Sequence, residues 1–232
     1  MIIRVRFGKE GALRFIGHLD VLRTFQKIFR RAGIPMAYSQ GFSPHPIMSF
    51  ALPLGLGLSS EGEYLDAEIG DGMGTEEVLT RLQAATSPEL PVYAVRALPE
   101  KSGNAMASVG RASYRLTIPR ESADAIDAAC GKLLAETSHV IEKKTKTQTV
   151  SFDLRPCLYE LRVEKDALAG GAQGENPACL LMTLSAGSKA NVKPEAVWEE
   201  LLKTAGLPET IKPMAVRRLD LLTEDGTPLG CV

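Results

Sequence analysis

Aromatic side chains are scarce, at 6% of the chain with a single Trp. The aromatic stacking signature by which a typical RNA-recognition motif holds bases is absent. No apolar run approaches the ~20 residues of a membrane span. The opening MIIRVRFGK alternates arginines with apolar residues, a strand pattern without the continuous apolar core of a signal peptide. A cytoplasmic protein is expected. Cysteine is sparse too: Cys130, Cys157, Cys179 and Cys231, none in C-x-x-C spacing. That argues against a structural zinc site and a disulfide framework, and the first three read as small buried thiols. A P-loop and a dinucleotide fingerprint are missing, Gly55-Leu56-Gly57 being only a short glycine repeat. Nor does one sign of charge dominate, since 27 Lys and Arg face 28 Asp and Glu.

What is present is ordinary globular material: 232 residues, 44% hydrophobic and 24% charged, enough for one large domain or two small ones. The charge is segregated. Residues 1–50 hold eight Lys and Arg against two acids, and residues 51–100 hold two against nine. An electropositive face and an acidic one are therefore expected, with room for a local polyanion patch but not for indiscriminate nucleic-acid binding.

The stretch from Phe15 to Leu54 is the most informative. Leu22, Phe25 and Phe29 recur at helical spacing, with Ile28 and Ala32 beside them, which predicts an amphipathic helix over residues 18–32. Arg23, Lys27, Arg30 and Arg31 form a stripe on another face. Gly33 is placed for a left-handed C-cap, and Pro35 prevents resumption. The stripe has a second reading, as cations that complement the helix dipole. After the helix, GFSPHP sets His45 between Pro44 and Pro46. Each proline fixes its own φ and biases the residue before it toward extended backbone, so His45 is held in few directions. A tight corner with a hydrogen-bonded histidine is the other reading of that loop.

Alternating apolar positions predict strands near residues 2–8, 36–39, 48–54, 64–69 and 90–97, with a helix opened by Thr75. The polar segment 99–111 reads as a linker. Strands at 112–118, 157–163, 178–185 and 214–222 follow, with helices from Ser122 and from Pro194 to Gly206. Residues 139–150 are β-prone and carry KKTKT, either an electrostatic track or a solvated hairpin. Lys189 and Lys193 flank a helix start, a second spot where an anion is favoured. The expected class is α+β: two ferredoxin-like, βαββαβ-type halves with extra strands or hairpins, residues 1–98 and 112–232.

FIGHLDVLR, RRAGIPMAYSQGFSPHP, SFALPLGLG and SEGEYLD resemble the radical-SAM-linked, or radical-SAM-associated, proteins. Their domain of unknown function occurs alone or fused behind a radical-SAM, cobalamin-binding-type module. The resemblance is dense over residues 1 to about 100 and continuous, though weaker, to the end. Three positions depart from its usual pattern: Gly17 for serine, Ser43 for asparagine, and Ile47 for a basic residue. The resemblance implies a radical-SAM partner that would carry S-adenosylmethionine and an iron–sulfur cluster. This chain lacks the closely spaced cysteine triplet for such a cluster, so it would be the accessory, with no cofactor of its own.

Three functions follow as expectations. The first is an accessory module that presents RNA, such as tRNA or rRNA, or another anionic substrate to that enzyme. Arg23 and Lys27 would contact phosphate, Tyr38 or Phe42 would stack on a base, and Gln40 and His45 would add directional hydrogen bonds. The second is a metal-independent RNA-processing enzyme using His18 and His45 as acid and base. The third is a protein-interaction adaptor docking through acidic residues in 61–77. His18, Asp20 and His45 lack metal-type spacing, so no metal is expected.

Overall fold

A computed structural model describes residues 1–99, 102–144, 149–165 and 176–232. They form two compact units, one of residues 1–110 with 218–232, the other of residues 111–217. Strands and helices interleave in both, an α+β organisation. No helix among the described residues is long and apolar enough to cross a membrane.

The first unit runs β1 (Ile2–Lys9), α1 (His18–Arg31), β2 (Met48–Phe50), β3 (Ser59–Glu68), α2 (Thr75–Ala85) and β4 (Val92–Ala97). Its strands lie in the order β4-β1-β3, with β2 also on β3, and these pairings are antiparallel. Alternation sends Ile3, Val5 and Phe7 to one face of β1, where they meet Val21, Phe25, Ile28 and Phe29 of α1 and Val78 and Leu82 of α2. Phe7 stands edge-on to Phe25 at 4.6 Å and to Phe50 at 5.7 Å, a geometry aromatic rings prefer.

The boundaries of α1 follow from its sequence. Gly17 is the N-cap and supplies no side-chain bond, so Asp20 in the first turn is the acidic group at that end. At the other end Gly33 takes φ 63°. Ile34 N–H then reaches the Phe29 carbonyl at 3.1 Å, and Gly33 N–H reaches that of Arg30 at 3.2 Å, the paired bonds of a Schellman cap. The helix after β3 starts differently from expectation: Gly74 is its N-cap and Thr75 its first residue.

Residues 36–39 form bridges rather than a strand: Met36 with Ile69, and Tyr38 with Pro46. β3 starts five residues before the expected Tyr64. Its early part reads as polar, yet Ser60 and Glu63 are buried, because Arg218 pairs with Glu63 there. Within the segment read as a linker, one helical turn, α3 (Ala105–Ser108), is capped by Asn104 and tied to Asp66, which accepts from Ala105 N–H at 2.6 Å.

The second unit runs β5 (Arg111–Ile118), α4 (Ala123–Ala135), a hairpin of β6 (Val140–Lys144) and β7 (Thr149–Asp153), β8 (Leu158–Glu164), β9 (Ala178–Ser185) and α5 (Pro194–Ala205). β9 lies between β5 and β8, antiparallel to both. All eight of its positions are buried, the apolar run 178–182 as expected and Thr183 and Ser185 as buried polar residues. Pro194 is the first residue of α5, and Gly206 ends it at φ 69°. Trp198 is buried and donates to the Ile211 carbonyl at 3.0 Å. The last strand, β10 (Ala215–Leu222), leaves this unit after Arg217 and enters the first. Most of KKTKT and most of the glycine-rich stretch after Lys165 fall at 145–148 and 166–175, outside the described residues.

Candidate anion-binding groove

Four cations mark the exposed side of α1, and they divide by neighbour. Arg31 turns to α2 and donates to the Ala85 carbonyl at 2.8 Å. Arg23, Lys27 and Arg30, at i, i+4 and i+7, fall along one side and line a groove of about 680 Å³. Pro35, Met36, Tyr38 and Pro46 form its other wall. Arg23 makes an exposed ion pair with Asp20 at 3.3 Å, of the kind worth little in water. Among the described residues, no ion pair engages Lys27 or Arg30. Three cations on one helix thus face a hollow without equivalent acids lining it.

The chain after α1 builds the second wall because its backbone is clamped on both sides. Ala37 N–H donates to the Glu68 carbonyl, Ile47 N–H to that of Ala37, and Glu68 N–H to that of Ile47, at 2.9 to 3.0 Å. Ser39 N–H donates to the His45 carbonyl at 2.9 Å. Residues 40–44 are then a short exposed tip on a fixed stem. Ser39 also sets the imidazole. Its Oγ accepts from His45 N–H at 3.1 Å and lies 2.9 Å from His45 Nδ1. If the hydroxyl proton goes to Nδ1, the imidazole N–H is left on Nε2.

The expected site residues separate into four places. Arg23, Lys27 and Tyr38 share the groove. His45 lines a neighbouring hollow of about 410 Å³ with Ser39, Met48, Asp66 and Glu68, and Pro46 borders both hollows. Gln40 and Phe42 are exposed at the loop tip and line neither; Phe42 has no shelter at all. His18 is elsewhere. It is half-buried at the start of α1, edge-on to Phe50 at 5.0 Å. With Lys9 and Glu63 it borders a cavity of about 20 Å³. The two histidines therefore line different hollows, and no described contact joins them. Lys189 and Lys193 belong to the second unit, Lys193 as the N-cap of α5.

Arg30 and Gln26 of the groove, and Ser39 beside His45, complete the arrangement. Arg30 was legible through its i+7 spacing from Arg23. Gln26 and Ser39 carry no pattern signal, because a six-residue loop closure brings Ser39 to His45. Among the described residues, no group of three or more His, Cys, Asp or Glu is disposed to hold a metal ion. Cys130, Cys157 and Cys179 are buried and Cys231 is exposed. Burial pushes the Cys130 thiol up to about 12, which keeps it protonated.

Chemically, the groove can neutralise and orient an extended anion. Guanidinium and ammonium groups on successive turns offer phosphate contacts, and the half-exposed ring of Tyr38 offers a face to stack on. A search of curated proteins finds no match for the chain. Residues 3–194 match a family described as uncharacterised proteins conserved in bacteria (DUF2344), and the chain belongs to that family.

Proposed function

We propose that this protein is an accessory module that binds RNA or another anionic substrate and works with a radical-SAM protein. The observation that carries the binding half is the common groove of Arg23, Lys27, Arg30 and Tyr38. The partner half rests on the motifs quoted above, FIGHLDVLR through SEGEYLD. In this reading the partner supplies S-adenosylmethionine and the iron–sulfur cluster, and this chain supplies binding and orientation. Phosphates would lie along α1, a base would stack on Tyr38, and Phe42 at the rigid loop tip would act as a second stacking surface. His45, aimed by Ser39, and Gln40 would donate hydrogen bonds to bases or sugar hydroxyls.

The same reading takes each unit as a ferredoxin-like half. The first has the element order β-α-β-β-α-β, with β4, β1, β3 and β2 succeeding one another in the sheet, which supports that view. In the second, β5, α4, β8, β9 and α5 fill the first five places of the same order once the β6–β7 hairpin is set aside.

Two alternatives are outcomes of the test. Acid–base chemistry needs two groups on one substrate, and His18 and His45 border separate hollows. Docking through the acidic stretch would have to do without Glu63 and Asp66, both committed to buried arginines. The experiment is affinity capture of tagged protein with and without RNase, followed by binding of labelled tRNA and rRNA fragments to wild type, Lys27→Gln and Phe42→Ala. Loss of RNA affinity in both variants supports the reading. A partner retained after RNase with no RNA bound supports the adaptor. RNA cleavage abolished by His45→Ala supports the enzyme.

A further inference from the structure

The other face of the first unit's sheet carries a second basic feature, which no site motif foreshadows. Ile3, Val5 and Phe7 of β1 face α1 and α2, so alternation puts Arg4 and Arg6 on the side without those helices. Arg96 of β4 sits directly across from Arg4, and Tyr64 of β3 across from Arg6. Like charges opposite one another in a sheet are destabilising unless something compensates them.

Arg4 is compensated. It is buried and forks onto Asp66, Nε to Oδ1 at 2.8 Å and Nη2 to Oδ2 at 3.1 Å. Arg6 and Arg96 are not matched in this way. Arg6 Nη2 stands 3.7 Å from Asp220 Oδ2, while Asp220 Oδ1 accepts from Tyr64 Oη at 2.6 Å and from Leu221 N–H at 2.9 Å. Arg6 Nε is shut off from solvent with no hydrogen-bond partner. Arg96 donates to the Gly230 carbonyl at 2.8 Å, and among the described residues no carboxylate pairs with it.

These groups border a cleft of about 180 Å³, together with Tyr64, Asp220 and Cys231. Arg4 and Arg96 hold one wall by donating to the carbonyls of Leu229 and Gly230. Arg4 is taken up by Asp66 and by the carbonyl oxygens of Leu229 and Val232, and Asp220 is the one carboxylate among the residues that line the cleft with Arg6 and Arg96. We propose that the cleft is a binding site for a small oxyanion, the carboxylate or phosphate group of a low-molecular-weight ligand. The oxyanion accepts from the guanidinium Nη groups of Arg6 and Arg96 at the cleft. A discrete group fits the confined cleft, whereas a polyanion needs the longer groove beside α1. This inference is independent of the RNA reading.

Cys231 reports on the site, since it borders the cleft and is exposed while the other three thiols are buried. The experiment is the rate of iodoacetamide alkylation of native full-length protein, read by mass at Cys231. Inorganic phosphate and acetate are titrated separately at constant ionic strength, with chloride as the balancing anion. The expected result is saturable protection by at least one of the two, and the more effective one names the source. Arg96→Gln weakens that protection about tenfold or more, the loss of one charge-assisted contact. Arg6→Lys, which keeps the charge and removes the planar guanidinium fork, weakens it as well. Lys27→Gln in the groove leaves it unchanged. Circular dichroism verifies that each variant is folded, and calorimetric titration of phosphate repeats the measurement without the thiol. Protection equal to that given by chloride, or undiminished in folded Arg96→Gln and Arg6→Lys, overturns the proposal. Protection by an RNA oligonucleotide but by neither small anion overturns it too.

Discussion

Glu63→Gln would be among the most destabilising isosteric changes in the first unit. The Glu63 carboxylate is 5% exposed and the Arg218 side chain 2%. Arg218 Nε donates to Glu63 Oε1 at 2.7 Å, Nη2 donates to Oε2, and Nη2 also reaches the Leu52 carbonyl at 2.9 Å. Lys9, itself buried, lies close by and donates to the Ile16 carbonyl at 2.8 Å. Burial holds the Lys9 ammonium below the usual lysine range, Glu63 pulls it back up, and Arg218 pushes it down. Removing the one negative charge leaves two buried cations facing each other. Breaking a buried pair on one side costs about 3–5 kcal/mol, a large part of the 5–15 kcal/mol that holds a typical domain. With a urea slope of about 3 kcal/mol/M, the midpoint falls by roughly 1–1.7 M. The assay must follow the right unit. Trp198, the single tryptophan, belongs to the other one, so its fluorescence would miss the change. Hydrogen exchange of the β3 amides against urea reads it directly. Replacing both partners, Glu63→Leu with Arg218→Met, recovers part of the loss, because a desolvated charge is then no longer stranded. A β3 midpoint shifted by less than about 0.3 M in Glu63→Gln would refute the reasoning, since that is under 1 kcal/mol at this slope.

Three further outcomes follow from local geometry. A Cβ at Gly62 would lie 2.2 Å from the Leu219 carbonyl oxygen and 2.5 Å from Asp220 Cα. Gly62→Ala therefore costs about 1–3 kcal/mol or more in thermal unfolding, because backbone has to move. Exposed Gly131, within α4, meets nothing within 4 Å, and Gly131→Ala stabilises by about 1 kcal/mol. His139 sits between Glu136 at 2.7 Å and Glu200 at 3.3 Å. Burial lowers its pKa, the two carboxylates outweigh burial, and the net shift is upward from 6.5. Its contribution is complete below the unfolded value and is lost as pH rises through the raised native one. NMR titration should find the native pKa above 6.5 and find it lowered in Glu136→Gln.

The helix-bearing skeleton was legible because apolar spacing reports burial directly. Leu22, Phe25 and Phe29 announced α1, Gly33 and Gly206 announced helix ends, and the apolar-rich stretch 178–185 announced β9. Buried charge was not legible. Nothing local in Ser-Glu-Gly-Glu says that Glu63 is inside, since its partner Arg218 is 155 residues away. The same blindness hid Arg4 with Asp66 and the cleft around Arg6, where alternation reads simply as a solvated face. At the groove, helical spacing aligned Arg23, Lys27 and Arg30. Tyr38 joins them through a hairpin-like return whose bonds link residues 37–39 to 45–47. His18 and His45 looked like partners only because sequence carries no distance.

The central claim is that the α1 groove holds a phosphate chain, and salt dependence tests it most directly. Affinity for a single-stranded RNA oligonucleotide should be measured over a range of salt for wild type and for Arg23→Gln/Lys27→Gln/Arg30→Gln. Each phosphate contact on a single strand contributes about 0.7 to the slope of log affinity against log salt, so three lost contacts reduce it by about 2. A triple variant that stays folded, binds weakly and shows that flatter slope is the predicted result. An unchanged affinity and slope would contradict the claim.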